Sequence, residues 1–331
     1  DMAGGGCITA GNMVWDNLGN FTPIEELNLS NGIIGFNTLT QEASKEKITY
    51  IQEPLFKECI KITTNTGRTI ECSEDHPILY SKTANFRRSF RENKKRIYKK
   101  KVEFIEAKNL NIGDQVSIIN NIDIFSNKEL KEARLIGLLI GDGNYSSGVT
   151  LSNCDANINN FVEGYYKTNI KKQYITKSTN EVYKELGISE LVPLLKELEI
   201  YKQTKNNKRL PKNIHSYSKS SICELLGGFF DADGTINKDK IQLASSCYEL
   251  LNETRFLLQK LGIHGTIIKR TPNLKLNRTK KIKSINPWYY IQIADKRSLI
   301  AFYENICFLS RKKQTKLKEA YKLALKKKDL Y

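Results

Sequence analysis

Two stretches of this 331-residue chain reach the same chemical ending. Leu135-Ile-Gly-Leu-Leu-Ile-Gly-Asp-Gly143 and Leu226-Gly-Gly-Phe-Phe-Asp-Ala-Asp-Gly234 are both apolar, glycine-containing and closed by Asp-Gly. Setting Leu135 on Leu226 gives an offset of 91 residues. That is too long for a solenoid unit, and two copies predict a pseudo-symmetric pair of subdomains. Gly137 and Gly141, with Gly227 and Gly228, remove side chains so that two helices can approach closely. Asp142 and Asp233 then fall at adjacent helix C-termini, where two carboxylates and the negative dipole ends attract a divalent cation. Metal bridging of that kind activates water and stabilises a leaving oxygen, which suits phosphodiester hydrolysis. The bland alternative is a pair of core helices that use Asp-Gly as a stop signal. Two copies within a basic segment weigh against it.

Composition narrows the setting. Hydrophobic residues make up 40% and charged residues 27%, the balance of a soluble globular chain of two or three domains. No run of 18 apolar residues predicts a membrane span, and the N-terminus lacks the pattern of a secretory signal. Seven cysteines without a CxxC pair, beside three histidines, fit reduced thiols in the cytoplasm. The net charge is +17, yet residues 1–80 hold 5 Lys+Arg against 11 Asp+Glu. The excess therefore lies in residues 81–331, a distribution that points to a polyanionic partner. Residues 82–101 carry 10 basic side chains, with Phe86, Phe90 and Tyr98 between them. Arg87, Arg88, Arg91, Lys94, Lys95, Arg96, Lys99 and Lys100 are the candidate DNA contacts of that basic insertion.

The first 120 residues read as β-rich. Asn17-Leu-Gly-Asn20 has turn composition, residues 61–72 read as a hairpin about Asn65-Thr-Gly67, and residues 110–116 as a turn entering a strand. From about Lys128 the period is helical. Helices are expected over Glu129–Gly141 and from Ser221 to Asp-Gly234, each followed by a strand (147–152 and 241–245). A helix ending in Leu-Gly-Ile is expected in each half, at 186–188 and at 261–263.

The paired nine-residue segments resemble the signature of LAGLIDADG homing endonucleases, with Ile140 where the second copy has Asp231. The resemblance covers about residues 128–325. It implies an α+β pseudo-dimeric domain over 121–331 that cuts double-stranded DNA with Mg²⁺ held by Asp142 and Asp233. Lys208-Arg-Leu-Pro211 looks like the family's Lys-x-x-Pro segment, and Phe308–Leu317 like its later counterpart. These nominate Lys208 and Lys313, with Lys312 close behind, to orient water or stabilise developing charge.

The N-terminal part resembles the splicing domain of an intein. The carriers are Cys7–Val14, Gly19, Pro23–Leu27, the Gly67–Ile78 segment with Ser73 and His76, and Ala107–Val116. The resemblance implies an all-β, horseshoe-like Hint-type splicing domain over 7–120, with residues 1–6 as N-extein tail. Cys7 would attack the Gly6 carbonyl to form a thioester, His76 would protonate the departing amine, and Ser73 would hold the amide by a hydrogen bond. The chain ends Asp329-Leu-Tyr331 without the family's terminal Asn. The expectation is thus an N-terminal fragment whose partner is a C-terminal intein fragment carrying the C-extein. Rival readings are a maturase-like DNA- or RNA-binding protein, a hedgehog-type autoprocessing domain, and a splicing element with a decayed nuclease.

Overall fold

The computed structural model describes residues 6–37, 40, 42–81, 103–146, 148–175, 181–271 and 287–327. The chain divides into two compact units, residues 1–119 and 120–331. The basic segment 82–101, with its eight candidate DNA contacts, lies outside the described residues, as do residues 328–331.

Unit one consists, among its described residues, of short antiparallel strands and two 3-10 turns. Strands β1 (Met13–Trp15) and β2 (Phe21–Pro23) form a hairpin. Its turn is built by Asp16, whose carboxylate accepts from the backbone N–H of Leu18 and Asn20 at 2.9 and 2.8 Å. Strands β3 (Gly32–Asn37) and β4 (Glu42–Lys47) pair, as do β5 (Cys59–Thr63) and β6 (Thr69–Ser73). The β5–β6 hairpin is the one expected around Asn65-Thr-Gly67, with Gly67 at φ 78°. Strand β7 (Pro77–Ser81) lies between β8 (Glu103–Glu106) and β9 (Gln115–Val116). Four small sheets thus stand where one horseshoe-like β fold is expected. Their strands are short and largely polar on the surface, so each has little apolar area to merge over; Trp15, Cys72, Tyr80 and Ala107 are the buried apolar side chains among the strands and the adjoining turn.

Unit two repeats one topology. Its first half runs α1 (Ala133–Asp142), β10 (Gly143–Asn144), β11 (Thr150–Asn153), α2 (Ala156–Tyr165), β12 (Asn169–Ile175), β13 (Val182–Gly187) and α3 (Val192–Glu197). Its second half runs α4 (Lys219–Asp233), β14 (Gly234–Asn237), β15 (Lys240–Ser245), α5 (Tyr248–Lys260), β16 (Thr266–Arg270), β17 (Trp288–Ile293) and α6 (Lys296–Asn305), followed by α7 (Arg311–Lys326). The sheets have matching orders, β10-β11-β13-β12 and β14-β15-β17-β16, with every pairing antiparallel. The α+β architecture is therefore written twice. One continuous core serves both halves, with Leu135, Leu138, Leu139, Phe229 and Phe230 fully buried along the two long-signature helices.

Two expectations are corrected. Residues 182–187 are a strand, and Leu186-Gly-Ile188 closes that strand instead of a helix. Strand β13 pairs on both edges, with β11 and with β12, so its backbone donors and acceptors are satisfied without helical bonds. Helix α1 begins at Ala133, four residues later than expected. Glu132 has φ 59°, and Leu130 N–H donates to Ser221 Oγ at 2.8 Å, which ties residues 129–131 to the first turn of α4. Among the described residues no helix is long and apolar enough to cross a membrane.

Candidate functional site

The site in unit two begins with the contact of α1 and α4. A Cβ on Gly137 would lie 2.0 Å from the Leu225 carbonyl oxygen, and one on Gly228 would lie 2.1 Å from that of Arg134. Each helix thus presses backbone against backbone at a glycine, and no larger residue fits. Because both helices end in Asp-Gly and turn at once into β10 and β14, Asp142 and Asp233 finish side by side. They line one cleft of about 580 Å³, together with Gly141, Lys205, Lys208 and Trp288.

The electrostatics of the pair follow from that crowding. Burial, and then the charge of Asp142, push Asp233 up to about 6. Burial also raises Asp142, opposed by a hydrogen bond from Asn153 Nδ2 at 2.6 Å and by the charges of Lys313 and Lys208. Two like charges in one buried place disfavour ionisation of both. Lys208 and Lys313 are each lowered by burial and supported by these carboxylates.

Both lysines are brought to the site, in a position the sequence does not specify. Lys208 Nζ donates to the carbonyl oxygens of Ile140, Gly141 and Gly143 at 2.7, 3.0 and 3.1 Å. Lys313 Nζ donates to those of Phe230, Asp231 and Ala232 at 3.1, 2.5 and 3.4 Å. Each ammonium therefore caps the C-terminus of one signature helix, where unpaired carbonyls and the dipole favour a cation.

Three supporting residues escape the sequence reading. Asn153, at the end of β11, orients Asp142. Asp231 is 2% exposed and accepts from the N–H groups of Leu309 and Ser310 at 2.7 and 3.1 Å, which fixes the start of α7 and hence Lys313. Arg134 donates to both carboxylate oxygens of Glu224 at 2.7 and 3.0 Å and to the Cys307 carbonyl at 2.8 Å, lacing α1 to α4. The only sequence signal for any of them is Asp231 occupying the signature position that Ile140 holds in the other copy.

Among the described residues no group of three or more His, Cys, Asp or Glu side chains could enclose a metal ion. The donors that are present, two hard carboxylates in an open cleft, suit a hard divalent cation that keeps part of its water shell better than a fully caged ion.

Unit one holds the second cluster. Ser73, 1% exposed at the end of β6, accepts from the Cys7 backbone N–H at 2.8 Å through Oγ. Its own N–H donates to the Cys7 carbonyl at 2.8 Å. The Ile8–Cys72 bridge continues this pairing. Gly6 lies against His76, since a Cβ there would be 2.6 Å from His76 Cα. Burial holds the His76 imidazole below its usual pKa range, and its buried Nδ1 has no hydrogen-bond partner among the described residues. Cys7, Ser73 and His76 therefore meet at the Gly6–Cys7 peptide, with Ser73 on its nitrogen side. Asp75 and Lys57, which the sequence reading does not nominate, extend the cluster.

The chain is 26% identical over 285 residues to the replication factor C small subunit of Methanocaldococcus jannaschii, covering 83% of this chain and 14% of that protein. It is 28% identical over 237 residues to the ATP-dependent DNA helicase Hel308 of the same organism, covering 66% and 19%. It is 30% identical over 202 residues to a DNA polymerase of Thermococcus hydrothermalis, covering 56% and 11%. The chain thus spans less than a fifth of each of these relatives. Among solved structures it is similar to the homing endonuclease I-DmoI, with TM-score 0.34 and 15% identity over 53% of this chain and 93% of that one. It is also similar to full-length DUF199/WhiA from Thermatoga maritima, with TM-score 0.39 and 13% identity over 60% and 61%. Residues 220–307, from the first turn of α4 to just beyond α6, match the family model described as a LAGLIDADG-like domain.

Proposed function

We propose that unit two is a LAGLIDADG-type homing endonuclease that makes site-specific double-strand breaks in DNA. The observation that carries the reading is the pair Asp142 and Asp233, set side by side at the ends of two glycine-packed helices and flanked by Lys208 and Lys313. Asp142 and Asp233 would hold Mg²⁺, which when bound supplies Lewis-acid polarisation of a phosphate and of the attacking water. The protein's own part is to hold together two carboxylates that burial and mutual repulsion make easier to protonate, so that a cation favours their ionised form, and to keep two ammonium groups near the charge that develops at phosphorus. Lys205 and Trp288 line the approach to the cleft. Asp142→Asn or Asp233→Asn is expected to abolish Mg²⁺-dependent cutting while leaving DNA binding. Unchanged cutting by either variant refutes the assignment.

For unit one we propose the N-terminal part of an intein splicing domain, acting in a reducing, cytoplasmic setting with a C-terminal intein fragment that carries the C-extein. Its carrying observation is the Gly6–Cys7 peptide, whose Cys7 N–H donates to Ser73 Oγ and whose Gly6 packs against His76. The pattern of relatives supports it. The same chain aligns with a replication factor C small subunit, a DNA helicase, a DNA polymerase and a probable translation initiation factor, each over only 11–19% of its length, as an insertion carried by different proteins does. In the step, a bond forms from Cys7 Sγ to the Gly6 carbonyl carbon and the Gly6–Cys7 C–N bond breaks. The thiol loses one proton and the released amine gains one, so the rearrangement consumes no water and no oxidant. Added thiol is expected to release residues 1–6 from the chain, seen by mass spectrometry, and not from Cys7→Ala. An inert bond in the parent chain refutes this half of the proposal.

A further inference from the structure

The polar contacts behind the Gly6–Cys7 bond continue past Ser73 to two side chains that have no role in the readings above. Ser73 Oγ accepts from the Cys7 N–H at 2.8 Å and donates to Asp75 Oδ1 at 2.5 Å. Asp75 Oδ2 in turn accepts from Lys57 Nζ at 3.0 Å. A serine hydroxyl has one proton and two lone pairs. Once the proton is committed to a carboxylate, the oxygen can meet Cys7 only as an acceptor, which is the role the amide N–H requires. Without Asp75 the hydroxyl rotor is free to turn its proton elsewhere. The side chains of Asp75 and Lys57 are 36% and 30% exposed, so this pair adds little to stability and its geometry is better explained by what it orients. Hydrogen bonds from Ser73 and Lys57 hold the Asp75 carboxyl at about 2, so it remains an acceptor across the physiological range.

We propose that Asp75, steadied by Lys57, is a positioning residue that sets the Ser73 hydroxyl as acceptor for the Cys7 amide and thereby holds the Gly6–Cys7 peptide against His76. The step it serves rests on the splicing reading above; the hydrogen-bond relay itself does not.

The test uses the full chain labelled with ¹⁵N-cysteine, with the Cys7 amide signal identified by its loss in Cys7→Ser. Two rates are measured, hydrogen exchange at the Cys7 amide and thiol-induced release of residues 1–6. Asp75→Ala is expected to speed exchange and slow release, each by about tenfold, the scale of one charge-assisted hydrogen bond. Ser73→Ala is expected to do the same, and the double variant to be no worse than either single one. Asp75→Asn keeps an acceptor oxygen and is expected to fall between parent and Asp75→Ala, which separates positioning from a loss of folding. The proposal is overturned if Asp75→Ala leaves both rates unchanged. It is equally overturned if the loss adds in full to that of Ser73→Ala, as a merely structural role requires. If the parent releases nothing, the splicing reading falls, while the exchange rates still decide whether Asp75 acts through Ser73.

Discussion

Replacing Asp233 by Asn is expected to stabilise the second unit at pH 7.5 while ending the chemistry proposed for it. Burial and the neighbouring Asp142 charge raise Asp233 from 3.8 to about 6. At about 1.36 kcal/mol per pH unit, ionised Asp233 costs the folded state about 3 kcal/mol. The sign follows from proton linkage. Between pH 4 and 6 the folded protein binds more protons than the unfolded chain at this group, so stability falls as pH rises through that window and levels above it. The difference between variant and parent should therefore be about 3 kcal/mol at pH 7.5 and shrink to about 1 kcal/mol at pH 4.5. Groups that do not face Asp233 titrate alike in both proteins and cancel. The chain has two tryptophans, and Trp288 lines the cleft. In a Trp15→Phe background its fluorescence reports urea unfolding of this unit alone. A variant less stable than the parent at pH 7.5, or a gain that is the same at both pH values, refutes the reasoning.

Further expectations concern the parts that build the cleft. Gly137→Ala or Gly228→Ala places a methyl group about 2 Å from a backbone carbonyl and should cost about 3 kcal/mol or more, read as a lowered urea midpoint. Lys208→Met removes the cation from three helix-end carbonyls. It should cost about 2 kcal/mol and depress cleavage, whereas Lys208→Arg should recover part of the stability. Asp231→Asn keeps an acceptor for one of the Leu309 and Ser310 N–H groups, which meet different carboxylate oxygens, and loses the charge opposite Arg134, so cleavage should fall, but less than in Asp231→Ala, compared in single-turnover rates.

The sequence displays the helix pair clearly because backbone contact demands missing side chains, and glycines at 137 and 228 state that demand locally. Asp142 and Asp233 are legible for a similar reason, since each closes its repeat copy. What the sequence does not display is long-range. Arg134 meets Glu224 across 90 residues, and Asp231 meets Ser310 across 79; no periodicity marks such partners. The capping of helix ends by Lys208 and Lys313 is hidden likewise, because a lysine reads the same whether its ammonium faces water or a row of carbonyls. Strand β13 is misread as helical because Tyr-Lys-Glu-Leu at 183–186 suits either state, and pairing on both edges decides it. In unit one, the Cys7, Ser73 and His76 trio is legible through the resemblance, whereas Lys57 and Asp75 emerge only when β5 and β6 are paired.

If the proposed function holds, Asp142 and Asp233 together cut DNA at one sequence. The direct measurement incubates the full chain with a randomised double-stranded DNA library and Mg²⁺, then sequences every new end. The expected result is ends at one recurrent site on both strands, absent for Asp142→Asn and Asp233→Asn even though both variants still retard the selected duplex. Breaks that persist in both variants, or a parent protein that binds the library and leaves every duplex intact, would contradict it.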